Sequence, residues 1–99
     1  MSVPTQHSKK IIQVTDKSYD VTNDDYHVEV SADTDDRVVN LPPASGFRGK
    51  DLTIVKTDDT ANLLAVSGVE PISGESVLFL DGQWQVLNLR SIGSVWRQV

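Results

Sequence analysis

Ninety-nine residues with a mass of 10.9 kDa suffice for one small domain, with little room for a second core or a large enclosed active site. Fourteen acidic against nine basic residues leave a formal charge of −5, which argues against a surface built to neutralise the phosphates of nucleic acid or anionic lipid. Without cysteine there are no disulfides, thiolate metal sites or cysteine nucleophiles, and no unbroken apolar run exceeds the four residues of Val77-Leu78-Phe79-Leu80, far short of a membrane span.

Residues 1–10 are polar and read as an N-terminal arm ahead of a single domain over 11–99. The arm lacks the apolar stretch of a secretory signal. Its apolar members, Val3 and Pro4, with Ile11 and Ile12 just beyond, are candidates for docking on another protein. Residues 11–36 are strongly acidic. Val14-Thr15-Asp16-Lys17-Ser18-Tyr19 is loosely echoed by the phrase from Val21 to His27, local similarity within a β ribbon rather than a solenoid. Tyr26, Val28 and Val30 alternate with His27, Glu29 and Ser31, the period of a half-buried strand with the first three inward.

A turn over 33–37 leads into a short strand over 38–41, stopped by Pro42-Pro43. After the glycine-bearing loop 42–49, Leu52 and Ile54 oppose Thr53 and Val55 on the next strand. Asp58-Asp59-Thr60-Ala61 reads as a hairpin turn, with a returning strand over 62–66. Ser73-Gly74 marks another turn, and residues 76–80 form a strand. Asp81-Gly82 is the strongest two-residue hairpin signal, predicting that 83–89 pairs with 76–80. A last strand covers 94–99. Helical periodicity is nearly absent. The expected class is all-β, a compact antiparallel sandwich or barrel-like module of seven or eight strands.

Catalytic constellations are not apparent. His7 lies in the arm, and His27 sits opposite the apolar face of its strand, so neither is placed as the base of a nucleophilic triad. Asp58-Asp59 and Asp35-Asp36, with Asp33 nearby, lack the spacing of a calcium loop and read as solvated turns; a structural cation there is the minor reading. No metal ligand set or cofactor motif is predicted. Adjacent apolar residues in several strands, as in Val38-Val39 and Leu63-Leu64, imply burial on both faces, in a deep sandwich or between subunits. Leu63, Leu64, Val77, Leu78, Phe79, Leu80, Trp84 and Trp96 are the candidates for a shared core and interface. For the two tryptophans that packing role is preferred to stacking on sugar rings.

The phrase Val38-Val39-Asn40-Leu41-Pro42-Pro43-Ala44, then Gly49-Lys50-Asp51-Leu52-Thr53-Ile54-Val55-Lys56, then Glu70-Pro71-Ile72-Ser73-Gly74, and finally Gly82-Gln83-Trp84 with the late Trp96, resembles a β module of bacteriophage tail fibres and related virion appendages. The resemblance spans roughly residues 20–97. It implies an all-β homotrimer, intertwined or packed, that serves as a non-enzymatic virion structural protein: a fibre, head-fibre, collar or capsid-decoration component assembled in the host cytoplasm. The arm would then contact other virion proteins, and no nucleic acid or membrane insertion is expected. The alternative is a carbohydrate-binding module contributing to attachment to host-surface glycan.

Overall fold

The computed structural model describes residues 10–99. Val3 and Pro4 of the docking arm lie outside them. Nine strands are present among the described residues: β1 Lys10–Val14, β2 Ser18–Asp20, β3 Asp25–Val30, β4 Arg37–Leu41, β5 Asp51–Lys56, β6 Leu64–Ile72, β7 Glu75–Leu80, β8 Val86–Ser91 and β9 Trp96–Gln98. The only helical element among the described residues is a single 3-10 turn at Ala44–Gly46. The all-β class is as the sequence implies, in a sheet that curls to a nearly closed, barrel-like form.

Pairing departs from the antiparallel expectation. The chain alternates between two columns, β1, β3 and β5 stacking in parallel in one and β2, β4 and β6 in the other. Val14, Val30 and Lys56 therefore occupy equivalent positions on successive turns of a coil, with unequal lengths of chain between them. This corrects the reading of the acidic region as a mere ribbon: Tyr19 and Tyr26, which looked like equivalent residues, belong to β2 and β3 in different columns. The last strands close the coil with antiparallel pairs. β7 folds back on β6, β8 covers β5 and β9 lies on β8, while β9 also meets β6 in parallel through Ile72 and Trp96.

Alternation explains the core. Val28 and Val30, Leu52 and Ile54, and Leu87 and Leu89 point inward from one column, and Val39, Leu41, Leu64, Val66, Ile72 and Leu80 from the other. Each fully buried aliphatic side chain contributes about 1.5–3 kcal/mol relative to exposure. Trp96 is fully buried beside the Phe47 ring, and its indole N–H donates to the Pro42 carbonyl at 2.9 Å.

Three local expectations fail for tertiary reasons. A register shift where β1 meets β3 turns Asp25 inward and Tyr26 outward. Asp25 is held there by hydrogen bonds from the Tyr19 hydroxyl and the Thr22 N–H. Residues 58–61 are not a hairpin turn, because β5 and β6 belong to different columns; the segment crosses between them. Asp81-Gly82 likewise does not join a hairpin, since β7 pairs with β6 and β8 with β5 and β9. The left-handed residue of that connection is Trp84, at φ +63°, not the glycine. Only Ser73-Gly74 makes the expected tight turn, with both residues at positive φ.

Candidate functional site

Outward-facing residues of the first column form polar rows across its strands. Gln13 stands beside Glu29, and His27, Thr53 and Asn88 stand in register on the adjacent row. Within them His27 Nε2 lies 3.0 Å from one Glu29 carboxylate oxygen, Gln13 Nε2 donates to the other at 3.4 Å, and the Thr53 hydroxyl donates to Asn88 at 2.9 Å. Arg90 and Asp51 continue the surface as a salt bridge, and that hydrogen bond from the guanidinium raises the Arg90 pKa.

Just past the ends of β1, β3 and β5, Thr15, Ser31 and Thr57 follow with the same outward phase. Together with Gln13, Val14 and Glu29 they line a groove of about 290 Å³, with Trp84 as its aromatic wall. Trp84 is 62% exposed. Its backbone is pinned: the Trp84 N–H donates to the Lys56 carbonyl at 2.7 Å, and the Lys56 N–H donates to the Gln85 carbonyl at 3.1 Å. The Gln85 side chain caps the same turn, accepting from the Asp81 and Gly82 N–H groups. A bulky residue in the left-handed region costs about 1–3 kcal/mol and persists only when its surroundings hold it there.

Beneath that turn lies a buried ion pair. Lys56 is fully buried and the Asp58 side chain nearly so, with Nζ 2.8 Å from Oδ2. The ammonium also donates to the Thr60 carbonyl at 2.8 Å, while Asp58 accepts from the Ala32 N–H and from the Thr60 N–H and hydroxyl. Burial alone would push the Asp58 carboxyl up. The hydrogen bonds from Lys56, Thr60 and Ala32 outweigh it and hold the group well below the usual carboxylate range. The carboxylate weighed as a cation ligand is thus neutralised by a lysine from the adjoining strand. The other acidic turn is organised around buried Arg37, which donates to the Thr15, Asp35 and Asp36 carbonyls and to the Thr34 hydroxyl. Among the described residues, no group of three His, Cys, Asp or Glu side chains is arranged to hold a metal ion.

The second column presents a different surface. Val38, Ala65 and Phe79 are neighbours across β4, β6 and β7, on the face opposite the core. Phe79 is 52% exposed, and Leu63 and Val38 are also exposed. β7 ends this column, with no strand paired to its outer edge among the described residues.

The eight residues singled out for core and interface therefore separate. Leu64, Leu80 and Trp96 are core, and Leu78 packs partly against it. Leu63 and Phe79 are exposed on the second column's side, where Val77 is half-buried on β7. Trp84 stands alone on the groove. Ile11 and Ile12 lie in β1, Ile12 half-buried against the core. Sequence reasoning did not find the groove, because Gln13, Glu29 and Thr57 are remote in the chain and only parallel stacking aligns them. Nor did it find the Lys56–Asp58 pair, which reads as an ordinary polar turn. Compared with known proteins, the chain matches no family model, no curated protein and no solved structure.

Proposed function

We propose that this chain is a structural β module of a virion appendage, a homotrimer attached to a phage capsid, collar or tail. The observation that carries the reading is the outward apolar row Val38–Ala65–Phe79 beside the open edge of β7. β7 reads ESVLFL, without the lysine or proline that commonly guards an edge strand. A second copy of the chain is the occupant this surface suits. The opposite end of the same column, β2, is also an unpaired edge among the described residues. Two different free edges are what a head-to-tail interface needs to close a ring. The threefold count comes from the resemblance to virion-appendage modules. In such an assembly residues 1–10, with Val3 and Pro4, tether the trimer to a neighbouring virion protein, and the surface contributes no catalysis.

Light scattering after size exclusion tests the reading: the expected mass is three times 10.9 kDa. Phe79→Asp should shift that mass to the monomer while leaving the β-type circular dichroism intact. A wild-type mass that stays monomeric at every concentration overturns the proposal.

A further inference from the structure

We propose that the groove between Trp84 and Glu29 is a binding site for a neutral carbohydrate. The first observation is the display of Trp84. Its ring stands mostly in solvent, on a turn whose left-handed backbone is fixed by hydrogen bonds to Lys56 and within the 81–85 loop. The strained, pinned backbone carries a ring that stays mostly in solvent, so packing into the core does not account for its placement. What the arrangement does achieve is an aromatic face carried on a fixed backbone at the mouth of a groove.

The second observation is what the ring faces. Gln13, Thr15, Glu29, Ser31 and Thr57 supply a carboxylate, an amide and three hydroxyls over about 290 Å³, at the small end of ligand sites and sized for one or two sugar rings. The Glu29 carboxylate is oriented on one side by His27 and on the other by Gln13, with its side chain 28% exposed. Carboxylate oxygens with spare lone pairs accept from neighbouring ring hydroxyls; the Thr15 and Ser31 hydroxyls can donate and accept, and that of Thr57, which donates to the Val30 carbonyl at 3.2 Å, offers its lone pairs. The apolar C–H face of a pyranose suits an indole, and its hydroxyl edge suits this row.

Competing occupants fit less well. The groove lining contains no lysine or arginine, and Glu29 repels phosphates and acidic sugars. Interface cores between protein subunits are depleted in charge, whereas this floor carries a carboxylate and five other polar or apolar side chains of which only Val14 is aliphatic. The apolar row on the second column is the surface suited to subunit contact, so the two surfaces divide the work.

The two tryptophans make the test direct, because Trp84 is exposed and Trp96 fully buried. The full chain is titrated with neutral mono- and disaccharides of glucose, galactose, mannose, rhamnose and N-acetylglucosamine, following tryptophan emission and heat of binding. At least one probe should saturate with a Kd of about 1 mM or tighter and shift the emission to the blue. Calorimetry should then find no binding to Trp84→Gly, and Glu29→Gln should weaken binding on the order of tenfold or more. Phe79→Asp should leave the affinity unchanged whatever it does to the oligomeric state, which keeps this inference separate from the trimer proposal. Failure of every probe to saturate by about 10 mM, or equal affinity in wild type and both groove variants, overturns it.

Discussion

Removing either partner of the Lys56–Asp58 pair should be costly, and the two removals should differ in a definite order. Both side chains are out of water, so deleting one leaves a buried charge, a loss of about 3–5 kcal/mol. In Lys56→Met the Asp58 carboxylate keeps three donors, the Ala32 N–H and the Thr60 N–H and hydroxyl, placing that variant near the lower figure. In Asp58→Ala the ammonium keeps only the Thr60 and residue-58 carbonyls, while the Ala32 N–H is orphaned, placing it near the upper one. Total stabilities run to about 5–15 kcal/mol, so Asp58→Ala removes a third or more. For a domain of this size each kcal/mol moves the Tm by about 4–8 °C, so losses on the order of 12 to 40 °C are expected. Urea titrations at pH 7 and one fixed protein concentration, followed by far-ultraviolet circular dichroism, give the two values. Equal costs, a reversed order, or losses below about 1 kcal/mol would refute the reasoning.

The acid limb of stability should carry the same signature: the folded Asp58 pKa is depressed, so its contribution is complete above the unfolded value of about 4 and drains as pH falls below it, and Asp58→Asn should flatten that slope. At the alkaline end burial, then the hydrogen bond to Asp25 and its charge, push the Tyr19 hydroxyl up to about 12. Its contribution is complete below about pH 10 and lost as pH rises toward 12, so Tyr19→Phe should reduce the pH dependence of unfolding in that window. Gly68→Ala would place a Cβ 3.1 Å from Leu41 Cβ in the packed face between β4 and β6, and should cost about 1–3 kcal/mol in thermal melts; a neutral result contradicts the register of those strands. Trp84→Gly should melt higher than Trp84→Ala by a margin equivalent to about 1 kcal/mol, because glycine alone is unstrained at that φ; identical melts would remove the claim of strain.

Much of the strand layout was legible in the chain. Val28 and Val30, and Leu52 and Ile54, announce their inward faces by alternation, and all four are buried. Ser73-Gly74 announces its turn because left-handed backbone is a local demand that local residue types satisfy. Asp81-Gly82 carried an equally local signal and lost. The loop it belongs to must return β7 to the opposite column, and Lys56 and Gln85 dictate the backbone there. Tyr26 misled for a related reason: one register shift against β1 reverses the phase of the strand's first residues, and nothing in DYHVEV alone marks it.

The sequence by itself determined that the chain folds into strands and which face of β5, and of β3 from Val28 onward, avoids water, because period-two alternation and turn chemistry act over a few neighbouring residues. Which strand lies beside which is a matter of long-range closure, and alternation is silent about partners. Only the tertiary structure decided that β1, β3 and β5 stack in parallel, so that Gln13, Glu29 and Thr57 share a groove with Trp84. It also decided that Lys56 turns its charge into the interior, where Asp58 and Thr60 supply the partners that water would otherwise provide.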